Sequence, residues 1–344
     1  MNFAVILAGG TGTRFWPLST DVEPKQFLGL CSKRPMLDET VERIGALISK
    51  ANIFIAANKL HAEKIKKCLQ GLSVPSRNIF FEPRGKNTLA PIAYLAERIN
   101  ILDNDSVIVV LPCDHYIKNN IKFLNSLKAA INIANQGYIV TMGIKPTRPE
   151  TGYGYIESAE GIHKLRYLMV KRFIEKPPLK TAERFSKDRK YYWNCGIFIF
   201  RSDVLLEETR RLAPEVYRII AQPKIENTKR LWKKLPFLSI DYGIMEKTRK
   251  AVVLPVDFGW QDIGSWQAIG EVMQGDKRGS VFVGKCIDID SKNCLVWSDR
   301  RLVTTIGLDN IIVVDTKDAL LVCSKDKAQD VKKLVQILKK RRLA

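Results

Sequence analysis

Long apolar runs are missing from this sequence: none of its 344 residues belongs to a stretch near the ~20 needed to span a bilayer, so no membrane partner is expected. Met1 to Ala8 is apolar, but it has no basic leader and runs straight into glycines, a poor match to a secretory signal. Histidine is scarce, with only His61, His115 and His163, which argues against a histidine-rich metal centre. The seven cysteines (Cys31, Cys68, Cys113, Cys195, Cys286, Cys294, Cys323) are odd in number and dispersed, with no C-x-x-C pair. That pattern fits a reduced, cytoplasmic protein better than a disulfide framework or a zinc site. Internal repeats and low-complexity stretches are lacking too.

Acidic residues are in deficit, 36 Asp+Glu against 56 Lys+Arg, and the formal net charge is +20. Such an excess raises nucleic acid, an anionic membrane surface or phosphorylated small molecules as partners. The basic clusters at Lys64-Lys66-Lys67, Lys233-Lys234 and Lys339-Lys340-Arg341-Arg342 are scattered, with no recognisable RNA- or DNA-binding motif beside them. No specific nucleic-acid partner is therefore expected. A hydrophobic share of 46% and a charged share of 27% are ordinary for a globular chain with a substantial core.

Phe3–Leu7, Ile53–Ala56, Val107–Leu111 and Tyr138–Val140 read as strands buried on both faces. Between them Val41, Ile44 and Ile48, then Ile121, Leu124, Leu127 and Ile131, recur at helical spacing. Strand and helix in alternation predict a doubly wound, mostly parallel α/β sheet with ligands at the carboxyl ends of its strands. After Gly275 short β-branched runs follow one another (Val281–Val283, Cys294–Trp297, Leu302–Thr304, Ile311–Val314, Leu320–Val322) with no long helix between. They predict a small all-β unit, a solenoid or half-barrel. A basic helix closes the chain over Lys325 to Arg342, with Ala328, Val331, Leu334 and Leu338 on one face. The expected division is 1–272 and 280–344, and the edge strands of the β unit are an expected homodimer surface.

Leu7-Ala8-Gly9-Gly10-Thr11-Gly12-Thr13-Arg14 follows the first strand directly. Glycines there let backbone amides approach a phosphate, and a helix starting at that point adds its positive end. Phe15 rules out a dinucleotide fingerprint, and no Gly-Lys-Ser/Thr follows as a P-loop requires. A tight strand-to-helix turn without a ligand also accounts for the glycines taken alone. Arg14 and Lys25 flank the loop with cations suited to a polyphosphate. Asp114, after the strand ending Leu111-Pro112, is as well placed for a helix cap as for a metal ligand. Asp262, set in Gly259-Trp260-Gln261-Asp262-Ile263-Gly264, has a turn-stabilising role beside Gly264 as its alternative reading. Glu175-Lys176 is by itself an ordinary surface pair.

Taken whole, Gly9 to Leu28, with its Phe15-Trp16-Pro17-Leu18-Ser19 and Pro24-Lys25-Gln26-Phe27-Leu28 wording, resembles the sugar-1-phosphate nucleotidylyltransferases, in particular their mannose-1-phosphate guanylyltransferase branch. The resemblance extends through Leu111–His115, Phe173–Pro177, Trp193–Phe198 and Gly259–Trp266 to Asp288–Cys294, Val314–Ala319 and Gln329–Val335. It implies a Rossmann-like doubly wound mixed sheet, of the nucleotide-diphospho-sugar transferase type, with a small left-handed β-helix-like unit and a terminal helix. It implies Mg²⁺ on Asp114 and Asp262, with Arg14, Lys25, Asp114 and Asp262 as the catalytic set. Leu7, Ala8, Gly9, Gly10, Thr11, Gly12, Thr13, Arg14, Lys25, Glu82, Asn87, Thr88 and Asp114 would bind the nucleotide. Gly154, Glu175, Lys176 and Asn194 would bind the sugar phosphate.

The implied reaction joins GTP and α-D-mannose 1-phosphate into GDP-mannose and diphosphate. A relative using another nucleotide or sugar, or an idle regulatory subunit of the same fold, is the alternative. Many relatives continue into an isomerase domain; this chain ends at Ala344, so no isomerase activity is expected.

Overall fold

The computed structural model describes residues 1–10, 12–159, 167–222 and 230–341. Thr11, expected to line the nucleotide, lies outside the described residues, as do His163 and Arg342. The chain forms two compact units, each discontinuous in sequence.

The first unit comprises Met1–Gly9, Thr40–Cys113 and Ile117–Trp260. Its strands are β1 (Asn2–Ala8), β2 (Ile53–Asn58), β3 (Ile79–Glu82), β4 (Val107–Pro112), then, after the short β5 (Tyr116–Ile117), β6 (Ile139–Ile144), β7 (Tyr155–Ser158), β8 (Leu168–Ile174), β9 (Tyr191–Arg201) and β10 (Ala251–Val256). They build a nine-stranded sheet in the order β3-β2-β1-β4-β9-β6-β10-β8-β7. The pairs β1–β2, β1–β4, β2–β3 and β6–β10 are parallel, as expected of doubly wound units. β9 enters antiparallel between β4 and β6, and β7 and β8 pair antiparallel, so the sheet is mixed. The carboxyl ends of β1 and β4 fall on the same side of this sheet, which brings Cys113 N to Leu7 O at 3.1 Å.

Val5, Ile6, Ile55, Ile108 and Val110 are wholly buried, as strands covered on both faces require. Each such side chain contributes roughly 1.5–3 kcal/mol by burial. The helix Leu89–Leu102 buries Leu89, Ile92, Ala93, Ala96 and Ile99 in one core with Val5, Ile108 and Val110. Over β6 and β9 lies the helix Asn120–Ala134, which is turned relative to expectation. It buries Phe123, Leu127, Ala130 and Ile131 and leaves Ile121 75% exposed. Ile121 sits in the first turn, ahead of the face that meets the sheet.

The second unit gathers Gly10–Glu39, Asp114–Tyr116 and Gln261–Ala344. After β11 (Trp260–Gln261) come β12 (Val281–Val283), β13 (Cys286–Ile289), β14 (Leu295–Ser298), β15 (Val303–Ile306), β16 (Ile311–Asp315) and β17 (Leu320–Ser324). β12, β14 and β16 stack in parallel register, β13 and β15 do the same on a second face, and β17 closes antiparallel on β16. Parallel stacking of strands from successive short turns is the solenoid alternative of the sequence reading. The closing segment is a 3₁₀ stretch, Lys325–Asp330, leading into the helix Val331–Lys340. Ala328, Val331 and Val335 are buried there.

The two packing units cut across the chain order of the expected 1–272 and 280–344 segments, without testing that division. Phe15, Leu30 and Met36 share a core with Trp266, Ile269, Leu295 and Ile312, so the loop after β1 folds with the β unit. Apolar contacts rather than chain order set the units. Among the described residues no helix is long and apolar enough to cross a membrane.

Candidate active site

In the second unit the glycine loop is held by its own neighbours. Gly10 and Gly12 adopt φ values of +97° and +60°, a region that favours glycine. The Gln26 side-chain amide donates to Gly10 O at 3.4 Å. Gly12 has no room for a side chain, because a Cβ would stand 2.5 Å from Lys25 Cβ. The helix expected after this loop is only the three-residue 3₁₀ turn Thr13–Phe15. Pro17 follows after Trp16 and lacks the N–H that an α-helix would need. The loop therefore offers local amides and the exposed Arg14, with little helix dipole behind them.

Lys25 is the centre of this half. Its ammonium donates to Asp114 Oδ2 at 3.0 Å and to the Asp262 carbonyl at 2.8 Å, and lies 5.6 Å from the Phe15 ring centroid. Burial works against ionised Asp114, but the Lys25 ammonium, with His115 beside it, holds the carboxyl below its ordinary range. The segment carrying Asp262 is clamped by Trp266, whose indole N–H donates to Trp16 O at 3.1 Å and whose ring meets Phe15 edge-on. Ile263 is fully buried at φ +47°. For a β-branched residue that is a strained conformation, costing about 1–3 kcal/mol and maintained by its surroundings. Gly264 leaves space for the Asp262 carboxylate: a Cβ there would lie 2.9 Å from Asp262 Oδ2.

The first unit holds the other candidates. Leu7 and Ala8 end β1, and Gly9 follows. Glu82 closes β3 and accepts from the Lys86 backbone N–H at 3.4 Å; burial pushes its carboxyl up to about 7, which that amide only partly offsets. Asn87, at φ +66°, accepts from Thr88 N, and the Thr88 hydroxyl accepts from Ile240 N at 2.9 Å. The Lys86 ammonium caps the carbonyls of Lys233 and Leu235, so this lysine is structural. Segment 82–89 is thereby fastened to segment 233–240.

Gly154, Glu175, Lys176 and Asn194 come together. Asn194 N donates to Gly154 O at 2.8 Å, and a Cβ on Gly154 would stand 2.5 Å from Glu175 Oε2. The Lys176 ammonium donates to Glu175 Oε1 at 2.7 Å. Burial would lower the Lys176 pKa, but the bonded Glu175 carboxylate and the nearby Asp241 raise it. Asn194 Oδ1 accepts from the Thr141 hydroxyl at 3.1 Å and from Gly196 N at 3.0 Å, which fixes the amide and aims its NH₂ at Asp241 Oδ1, 3.1 Å away.

Asp241 was missed in the sequence. It opens a π-helical turn, Asp241–Met245, a geometry often found at functional sites and without a periodic signature. Burial, then the Glu175 carboxylate, pushes its pKa from 3.8 up to about 6. The folded chain therefore keeps a proton that the unfolded chain loses between about pH 4 and 6, and stability falls as pH rises through that window. Thermal melts of Asp241→Asn should show a shallower decline, with the Glu82 share remaining, and exceed the wild type at pH 7. Equal pH slopes in the two proteins would contradict the assignment.

Comparison with known proteins places these residues in a family. The nucleotidyl transferase profile matches residues 3–279, and that of the MannoseP isomerase/GMP-like beta-helix domain matches residues 284–338. A mannose-1-phosphate guanylyltransferase 2 of Escherichia coli O157:H7 is 39% identical across 98% of this chain and 73% of its own length. The mannose-1-phosphate guanylyltransferase of Salmonella muenchen is 38% identical across 97% of this chain and 73% of its own. A Thermus thermophilus crystal structure, described as a mannose-1-phosphate geranyltransferase, superposes with a TM-score of 0.89 at 30% identity, covering 98% of this chain and 99% of that one. The chain belongs to the nucleotidyl transferase family, in its mannose-1-phosphate guanylyltransferase branch.

Proposed function

We propose that this protein is a mannose-1-phosphate guanylyltransferase, converting GTP and α-D-mannose 1-phosphate into GDP-mannose and diphosphate. The observation that carries the reading is the Lys25 ammonium seated between Asp114 and the Asp262 backbone beside the glycine loop. A sugar phosphate is already an anionic nucleophile at neutral pH, so the reaction needs no general base and no covalent intermediate. One of its oxygens bonds to the α-phosphorus of GTP as the bond to the pyrophosphate oxygen breaks. The protein must orient the two anions and offset their repulsion.

Arg14 and the amides of the Gly9–Gly12 loop would take the pyrophosphate. Lys25 would neutralise phosphoryl charge next to the reacting phosphorus. Glu82, Asn87 and Thr88 would read the base, with Leu7 and Ala8 beside the nucleotide. Glu175, Asn194 and Gly154 would hold mannose, and Lys176 its phosphate. Asp114 and Asp262 fit a magnesium ion. They offer hard carboxylate oxygens, and the space at Gly264 accommodates the Asp262 carboxylate. Bound there, Mg²⁺ supplies positive charge to the phosphate oxygens. A GTP-fed reaction accords with a cytoplasmic setting.

The test is a panel of nucleoside triphosphates against mannose, glucose and glucosamine 1-phosphates, read by pyrophosphate release with and without Mg²⁺. GTP with mannose 1-phosphate should be fastest, and only with the metal. A faster rate with another pair would move the chain to a different specificity, and no release with any pair would favour an idle subunit.

The β unit is further proposed to pair with a second copy. Ile287, Ile289 and Ile306 stand 56%, 54% and 71% exposed on β13 and β15, with Ile289 and Ile306 side by side in register. Sedimentation should give a dimer that Ile306→Glu dissociates; a wild-type monomer would dismiss it.

A further inference from the structure

Lys25 is fixed along its whole length. Gly12 packs against its Cβ, the Phe15 ring flanks its ammonium, and the tip is bonded to Asp114 Oδ2 and the Asp262 carbonyl. Its side chain is only 7% exposed, whereas that of Asp114 is 32% exposed and so still open to solvent. A lysine that merely waited for phosphate would gain nothing from being held so closely on an acid.

We propose that the Lys25 ammonium is a built-in stand-in cation at Asp114, holding divalent metal off the free enzyme until a nucleoside triphosphate draws the lysine away. The inference rests on the reading of Asp114 and Asp262 as the metal-holding pair. In the free chain the carboxylate is already neutralised, and a divalent ion sharing it must sit next to an ammonium of like sign. That repulsion weakens metal binding at short range, where solvent screens it least. The triphosphate reverses the balance. Its oxygens compete for Lys25, release Asp114, and deliver anionic charge that a metal ion then shares with both acids. Metal and nucleotide binding are thus positively coupled, each favouring the other by the same factor. The device also keeps a bare metal ion from organising the acids when there is no substrate to turn over.

The experiment titrates Mn²⁺ alone into the full-length chain and reads free Mn²⁺ by electron paramagnetic resonance. Wild type should bind weakly, Lys25→Met at least about tenfold more tightly, and Lys25→Arg like wild type. Adding Asp114→Asn to Lys25→Met should return binding to the weak level. Lys25→Gln serves as a second neutral variant if near-ultraviolet circular dichroism shows that Lys25→Met is unfolded. Neutral variants that bind Mn²⁺ no more tightly than wild type would overturn the proposal, as would tight binding that survives Asp114→Asn. Since neither nucleotide nor sugar phosphate is present, this outcome is independent of whether GDP-mannose is formed.

Discussion

Asp262→Asn is expected to lower turnover by about a hundred- to a thousandfold, with the thermal midpoint close to that of wild type. The asparagine keeps the shape of the side chain and loses only its charge. The segment is held by the backbone carbonyl that receives Lys25, the clamp of Trp266 on Trp16, and the buried Ile263. None of these requires a carboxylate. A coupled pyrophosphate assay beside a melting curve separates the outcomes. Near wild-type turnover with Mg²⁺ would show that the carboxylate is not needed to hold the ion.

Gly12→Ala should be nearly as damaging for a different reason. Its Cβ would stand 2.5 Å from Lys25 Cβ, 3.1 Å from Lys25 N and 3.1 Å from Ser19 Oγ. The first two are parts of Lys25 that cannot swing aside, so the backbone must move. Overpacking of this kind costs about 1–3 kcal/mol, and alanine at φ +60° adds about 1 kcal/mol. The larger effect should be catalytic. Displacing Lys25 by an ångström relative to Asp114 is expected to cost about a hundredfold in kcat. Urea unfolding and kinetics together check this, and an unchanged kcat would contradict the placement of Lys25.

Much of this was legible in the sequence, and the parts that were not share a cause. The run Phe3–Leu7 is apolar at every position because β1 is covered on both faces, and that pattern survives in one dimension. Asp114 could be singled out because it follows such a strand. Asp241 could not, since its partner Asn194 lies 47 residues away and its π-helical turn leaves no hydrophobic period. The strained backbone at Ile263 is likewise silent, as nothing in an isoleucine announces a positive φ. The loop after β1 carried its chemistry openly, yet its true helix length depended on Pro17 and its true neighbours on distant apolar residues of the β unit. The +20 charge narrowed less than it promised, for the proposed phosphate-handling cations are chiefly Arg14, Lys25 and Lys176.

The central claim is direct attack of mannose 1-phosphate on GTP, and labelled pyrophosphate tests it most directly. Enzyme, GTP and Mg²⁺ alone should neither release pyrophosphate nor exchange labelled pyrophosphate into GTP. Adding mannose 1-phosphate should yield GDP-mannose and pyrophosphate one for one. Exchange in the absence of the sugar phosphate would reveal a guanylylated enzyme, and absence of GDP-mannose would contradict the account as a whole.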